Sequence, residues 1–210
     1  MMLLDEFLLE NKVLRIKQRL ERAEILTGFE TRNHYTIHGF GRVLFAQEES
    51  PTAGLILLQS ARPLTLKVMD GEGNVWLYLK KPFCFLLTRA EVSDHYSQPL
   101  GTIRQRWSIL SRRLSILAPG GTAVGEITAA WLHPWTFHCS YLGQPAGQVV
   151  KQWSGLGREL YTDADRFELS YPDSLPLEAR KILLAASLLI DLTWFEGGKK
   201  GSLFGALAVK

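Results

Sequence analysis

The feature that most constrains the fold of this chain is an apolar run near its C-terminus, from Ile182 to Ile190, which Ser187 alone interrupts. Pro176 precedes the segment and suits the first turn of a helix, while Gly197 and Gly198 are typical of a helix end. The sequence therefore predicts a helix over residues 177–196. A helix that is apolar on every side is buried, either inside a protein or in a bilayer.

The charges that bound this run favour the interior of a protein. A bilayer span needs about 20 apolar residues, whereas Lys181 and Asp191 enclose only nine here. An unpaired aspartate in lipid is also costly. We therefore expect the helix to be surrounded by the rest of the chain.

The region that would surround the helix has a sequence pattern typical of β-strands. From residue 33 to residue 171, short runs of β-branched, apolar and aromatic residues alternate with Gly, Pro, Asp and Asn. Residues 65–69 and 74–79, for example, flank an Asp-Gly turn, which is a strong hairpin signal. The spacing gives about ten to twelve strands. A single buried helix after so many strands indicates a mainly β fold, a closed barrel with the helix threaded through it.

A repeated pattern marks some of these strands: Gly, any residue, Val or Ile, three residues, then Trp. The Trp stands an even number of residues after the β-branched position, so both would face the same side of a sheet. We predict that glycine supplies the turn conformation and that the indoles build the core. The pattern occurs three times: Gly101–Trp107, Gly125–Trp131 and Gly147–Trp153.

Length and composition bound the remaining possibilities. With 210 residues, 46% hydrophobic and 21% charged, the chain is an ordinary globular protein of one domain, and a net charge of +3 does not argue for nucleic acid. We divide it into a lead-in over residues 1–32 (helix, or strand plus helix), a barrel over 33–196 and a Gly/Lys tail over 197–210. The N-terminus lacks the pattern of a secretory signal, and two cysteines form no disulfide framework, so we expect a reducing, cytoplasmic setting.

Several basic residues are candidates for contact with phosphate or lipid head groups. Arg104 and Arg106 would share one face of a strand, opposite Ile103 and Gln105. The alternative is that they line the solvated side of the strand. The full candidate set is Lys80, Lys81, Arg104, Arg106, Arg112 and Arg113.

The order of several motifs resembles that of the phospholipid scramblase family. The most specific stretch is Arg158–Phe167, and the resemblance covers about residues 20 to 196. The other motifs are Leu26–Thr31 with His34-Tyr35, Gly41–Ala46, Arg62–Leu66, Pro99–Gly101 with Trp107, Trp153–Gly155, Tyr171-Pro172, Leu188–Leu192 and Phe195-Glu196.

This resemblance implies a tubby-like fold, a closed antiparallel barrel of about twelve strands around a central hydrophobic helix. It also implies calcium-stimulated movement of phospholipid between leaflets without ATP, and no Walker-type phosphate loop occurs in the sequence. The expected partner is phospholipid or a membrane surface, and the protein is not expected to be an enzyme.

The family's calcium segment corresponds to residues 163–174. Asp163 and Asp165 match family positions, whereas Ser174 replaces the closing aspartate and Asp173 stands one place early. We take Asp163, Asp165 and Asp173 as candidates for a weak calcium site, because Ca²⁺ prefers oxygen ligands. The alternative is a turn that leads into an ordinary half-exposed strand.

The resemblance also concerns membrane attachment. Relatives carry an acylated cysteine cluster, for which Cys84 alone stands here, and one acyl chain gives only marginal anchoring. The expected location is cytoplasmic, peripheral to or anchored at a membrane. The sequence leaves a second function open, a soluble non-enzymatic module of the same fold that binds a lipid head group or a protein partner.

Overall fold

The computed structural model describes residues 3–19, 33–49, 61–152 and 166–195. Helix α1 spans Leu3–Glu10 and helix α2 spans Leu177–Trp194. The strands are β1 Val13–Arg19, β2 His34–His38, β3 Val43–Glu49, β4 Leu64–Met69, β5 Val75–Lys81, β6 Arg89–Asp94, β7 Pro99–Arg106, β8 Ser111–Leu117, β9 Ala123–Ala130, β10 Thr136–Tyr141, β11 Gln144–Gln152 and β12 Arg166–Ser170.

The strands form a closed antiparallel barrel in which each strand pairs with its neighbours along the chain. Strand β1 closes the ring by pairing with β12, so that Val13 lies opposite Ser170 and Ile16 opposite Phe167. The prediction of a mainly β, closed barrel of about twelve strands is confirmed. The barrel nevertheless starts at Val13 and not at residue 33, because β1 hydrogen-bonds to both β2 and β12.

Helix α2 lies inside this barrel. Every residue from Ala179 to Leu192 is buried, and the inward-facing side chains of the strands, such as Leu114 and Ile116, are buried with it. Alternation along each strand explains this core, since every second side chain points to the barrel axis. The expectation that the apolar run lies in the protein interior is confirmed.

The charged residues around the run are all held by partners from other elements. Lys181 forms an ion pair with Asp5 of α1, with 2.7 Å between Nζ and Oδ1. Asp191 accepts a hydrogen bond of 2.7 Å from the Tyr35 hydroxyl. Arg180 donates to the carbonyl oxygen of Leu8. A buried charge is tolerated only with such partners, so these contacts fix how deep the helix sits in the barrel.

The two ends of the barrel are distinct, and we name them here. At the α1 end, α1 packs against the start of α2, and the loops after β2, β4, β6, β8 and β10 lie there. At the rim end, α2 finishes, and the loops after β5, β7 and β9 lie there, residues 82–88, 107–110 and 131–135.

The glycines of the repeat lie at irregularities of the ladder. Gly101, Gly125 and Gly147 each pair with a residue next to a register shift in the neighbouring strand. A Cβ on Gly125 would approach the Ser140 carbonyl oxygen to 2.5 Å. Gly147 has a φ of +118°. At Gly125 the glycine therefore permits close approach at a bulge, and at Gly147 it also supplies a left-handed backbone conformation. All three glycines lie within strands and not in turns, so the predicted turn role is wrong for them.

Candidate functional site: the rim end of the barrel

Large apolar side chains project from the three consecutive loops at the rim end. Seven of them are between 71% and 86% exposed. We call this set the apolar rim: Phe85 and Leu86 after β5, Trp107, Ile109 and Leu110 after β7, and Trp131 and Leu132 after β9.

The prediction that the repeated tryptophans build the core is wrong for two of the three. Trp107 is 74% exposed and Trp131 is 71% exposed, whereas Trp153 lies outside the described residues. In the repeat from Gly101 to Trp107, the predicted inward-facing position holds for Ile103, which is fully buried. Strand β7 ends at Arg106, however, so the row of inward side chains continues past the edge of the barrel and Trp107 has no core to enter.

Behind the rim, arginines of neighbouring strands face outward in pairs. Arg89 of β6 lies directly opposite Arg104 of β7, and Arg106 of β7 lies opposite Arg113 of β8. All four side chains are exposed, as the shared face of Arg104 and Arg106 predicted. We call this group the arginine wall. Like charges placed directly across a ladder repel each other, so the wall favours an anion as its counterpart.

Acidic neighbours neutralise only part of the wall. Arg89 pairs with Glu91 at 3.0 Å, and Arg113 lies 3.8 Å from a carboxylate oxygen of Glu126. Within the described parts of the chain, Arg104 and Arg106 make no ion pair with an acidic side chain. Arg104 and Arg106 therefore carry most of the net positive charge of the arginine wall.

Arg112 has a different environment from the wall. It is half-buried, donates to the Pro134 carbonyl at 3.1 Å, and its guanidinium lies 5.0 Å from the ring centroid of Phe195. Burial lowers the pKa of its guanidinium. Lys151 lies over the same Phe195 ring, at 4.0 Å. Arg112 is thus part of a cation–π cluster that holds the end of α2, a contact that sequence reasoning did not anticipate.

The two candidate lysines, Lys80 and Lys81, lie in different environments. Lys80 is exposed on the outer face of β5, near the ring of Tyr78. Lys81 points inward, is 2% exposed and donates to the Arg62 carbonyl. Arg62 in turn binds Glu48, whose Oε2 lies 2.9 Å from Nη2. Strand alternation places Lys80 beside the rim and Lys81 in a buried polar network.

The candidate calcium residues are not assembled in what the structure describes. Asp163 and Asp165 lie outside the described residues. Asp173 lies at the α1 end, where its carboxylate forms an ion pair of 2.5 Å with Lys12. Among the described residues, no group of three or more His, Cys, Asp or Glu side chains is placed to hold a metal ion. The calcium site at these three aspartates therefore stays a prediction.

The two cysteines differ in accessibility. Both are free thiols. Cys84 is half-buried in the loop after β5, next to Phe85 of the rim, whereas Cys139 is buried in β10. Burial raises the pKa of the Cys139 thiol to about 12. Chemistry at a thiol is therefore confined to Cys84 in the folded protein.

The rim residues were not proposed as a site from the sequence, although a signal existed. Segments 82–87 and 107–110 interrupt the strand pattern, yet they carry Phe, Leu, Ile and Trp where loops are usually polar. Local periodicity shows only that a strand is interrupted there. It does not show that three such loops meet at one end of a barrel.

In the described parts of the chain, no helix combines the length and apolarity that a bilayer crossing requires. A family model described as Scramblase matches residues 3–197. Phospholipid scramblase 1 of Mus musculus is 30% identical over 210 residues, covering 91% of this chain and 63% of that protein. The chain thus spans less than two thirds of that relative's length.

Two further relatives agree. Phospholipid scramblase 2 of Bos taurus is 30% identical, with 91% of this chain and 71% of the bovine protein covered. Phospholipid scramblase 1 of Homo sapiens is 30% identical, with 91% of this chain and 65% of the human protein covered. No solved structure matches this chain.

Proposed function

The chain belongs to the Scramblase family, and from that premise we propose that it binds phospholipid membranes and moves phospholipid between the two leaflets without ATP. The structural observation that carries the proposal is the arginine wall. Arg104 and Arg106 face outward beside further arginines, without acidic side chains of the described chain to neutralise them. The phosphate groups of lipids supply the missing negative charge.

The proposal assigns lipid contact to the outer surface of the barrel and not to helix α2. The apolar run of α2 is packed inside the barrel, and the charges at its two ends are satisfied there. Moving it into a bilayer would break those contacts and expose the inner faces of the strands. Lipid movement in this proposal involves no covalent step and hence no catalytic residue.

Activity is tested with purified protein in vesicles that carry a fluorescent phospholipid in both leaflets. Dithionite destroys the outer-leaflet dye at once, and further loss of signal then reports lipid that crosses. We expect faster loss than in protein-free vesicles, with no nucleotide added. A rate equal to that of empty vesicles, from protein shown to be vesicle-bound, would leave membrane binding but refute lipid movement.

Binding is tested separately by sedimentation with vesicles with or without phosphatidylserine. The Arg104→Gln/Arg106→Gln variant should bind phosphatidylserine vesicles roughly thirtyfold more weakly, because each of the two basic residues near an anionic surface contributes about 1 kcal/mol. The matched control is Arg15→Gln/Lys17→Gln on β1, which lies on the opposite side of the barrel. Equal losses in both variants would mean that the protein's overall charge, and not the wall, is responsible.

We also propose, on the family resemblance, that calcium stimulates the activity through Asp163 and Asp165. Carboxylates are suitable ligands for Ca²⁺. Asp163→Ala/Asp165→Ala should abolish any increase in lipid movement on addition of calcium and leave the calcium-free rate unchanged. Asp173→Ala is the comparison variant, because the Asp173 carboxylate is paired with Lys12 at the α1 end. A full calcium response in the double variant would place the site elsewhere.

A further inference from the structure

The apolar rim carries an inference that rests on the proposed function and goes beyond it. Soluble proteins rarely leave a large group of neighbouring apolar side chains exposed, and such a group marks an interaction site. Here the side chains come from three consecutive loops of one barrel end, on adjoining strands from β5 to β10. Exposed aromatic residues also occur at the α1 end, but Phe40 follows β2 and Tyr96 follows β6, so the two lie on loops of hairpins that are not adjacent.

The rim is held in place before any partner arrives. The Trp131 amide donates to the Leu110 carbonyl at 3.1 Å, which ties the loop after β9 to the loop after β7. The Gln105 amide donates to the Thr88 carbonyl at 2.7 Å, and the Thr88 amide donates to Gln105 Oε1 at 2.9 Å, which ties β7 to the loop after β5. A fixed platform of this kind loses little conformational freedom when it binds.

The positive charge of the arginine wall indicates which kind of partner covers the apolar rim. The arginine wall lies directly behind the rim, on the same strands. At about 3.3 Å per residue, Arg106 lies roughly 3 Å and Arg104 roughly 10 Å behind Trp107 along β7. The head-group layer of a bilayer is roughly 6 Å thick, so Arg106 lies within that layer when Trp107 lies at the boundary with the acyl chains, and Arg104 lies just above the layer, on its water side. Tryptophan itself favours that boundary.

We propose that the apolar rim inserts into the interfacial layer of an anionic phospholipid bilayer. The barrel then stands with its rim end on the membrane, the arginine wall against the head groups and the α1 end facing water. Leu86, Ile109, Leu110 and Leu132 supply the inserted apolar surface. Protruding loop tips penetrate a fluid bilayer readily, whereas a protein partner would have to provide a cavity of matching shape.

The unchanged sequence allows a direct test of this orientation. Cys84 lies beside Phe85, while Cys139 is buried and its pKa is raised to about 12, so a thiol-reactive NBD dye labels Cys84 selectively. With phosphatidylcholine–phosphatidylserine vesicles, we expect a several-fold rise and a blue shift of NBD emission, and quenching by lipids spin-labelled in the upper acyl chain. The control dye, at Phe40→Cys in a Cys84→Ser background, marks the α1 end and should not respond.

Two matched variants test the contribution of the rim to affinity. Ile109→Ser/Leu110→Ser should bind the same vesicles roughly tenfold more weakly or worse, the loss expected when buried aliphatic side chains are removed. The control Phe40→Ser/Tyr96→Ser removes two exposed aromatics at the α1 end, which are 91% and 73% exposed, and should leave affinity unchanged.

The outcomes separate this inference from the proposed function. If the protein binds vesicles while the Cys84 dye stays in water, rim insertion is refuted and the proposed function stands. If no vesicles are bound, both fail. If Ile109→Ser/Leu110→Ser keeps full vesicle affinity but abolishes self-association measured by sedimentation velocity, the rim belongs to a second copy of this chain and the bilayer proposal is overturned.

Discussion

The two ends of the barrel are formed by the same strands, but their loops differ in whether their side chains stabilise the fold or remain exposed. At the α1 end, short turns are held by their own aspartates. The Asp94 carboxylate accepts from the amides of Tyr96 and Gln98 at 3.0 and 2.8 Å. At the rim end, the loops expose apolar side chains and the strands behind them carry arginines in like-charged pairs.

This difference separates stability from interaction. Aspartates that satisfy turn amides and a helix that seals the barrel lower the free energy of the folded chain by itself. Exposed apolar tips and opposed arginines raise it until a partner covers them. The α1 end therefore explains why the barrel closes over α2, and the rim end indicates what the closed barrel meets.

The largest effect is expected where the α1 end is sealed. Arg180 is 3% exposed and donates to three carbonyl oxygens, those of Leu8, Leu175 and Asp173, at 2.8, 2.9 and 2.6 Å. Arg180→Met keeps much of the side-chain volume but leaves these acceptors unsatisfied. We expect the free energy of unfolding, measured in urea, to fall by about 3–5 kcal/mol.

Arg42→Gln is the control for that measurement. Arg42 also lies at the α1 end, but its side chain is partly exposed and its contact with Glu6 is a surface ion pair of 3.3 Å. Its loss should cost less than about 1 kcal/mol. Similar costs for the two variants would contradict the role of Arg180 as the seal between α1 and α2.

A smaller effect is expected for adjacent arginines at the rim end. Arg112→Met removes the stacking on Phe195 and the hydrogen bond to Pro134, so the unfolding free energy should fall by about 2 kcal/mol. Arg113→Gln should change stability by less than about 0.5 kcal/mol but weaken sedimentation with phosphatidylserine vesicles. If Arg113→Gln lowered the unfolding free energy while Arg112→Met left it unchanged, the structural role assigned to Arg112 and the binding role assigned to Arg113 would both be contradicted.

The fold was largely predictable because its signals are local. The Asp-Gly turn after residue 69 and the apolar run bounded by Lys181 and Asp191 each lie within one stretch of chain. The observed hairpin of β4 and β5 and the helix α2 follow from them. Pairing of β1 with β12 joins the two extremes of the barrel and has no local signal, which is why the barrel was predicted to begin too late.

The candidate site was predictable only in part, for a related reason. Alternation along one strand placed Arg104 and Arg106 on the outer face. It could not show where β7 stops, so Trp107 was assigned to the core although it lies in the rim. It also could not show that Lys81 would be buried, because its partner Arg62 comes from the segment before β4.

The smallest effect is expected at the turn that connects β4 and β5 at the α1 end. Partial burial tends to raise the pKa of Asp70, but hydrogen bonds from Asn74, Trp76 and the Glu72 amide outweigh it and lower the pKa below its ordinary value of 3.8. The turn is therefore stabilised by the ionised carboxylate above that value, and this stabilisation is lost as the pH falls through the lowered pKa.

An Asp70→Asn variant should thus be slightly less stable than the unchanged chain in urea at neutral pH. The difference should disappear below the lowered pKa, where Asp70 is protonated and resembles the amide. Trp76→Phe should move the Asp70 titration, followed by NMR, back towards 3.8, because the indole Nε1 donor at 3.1 Å is removed. An unchanged midpoint would show that this hydrogen bond does not hold the turn. The contrast between the two ends would then rest on Asp94 and on the packing of α1 alone.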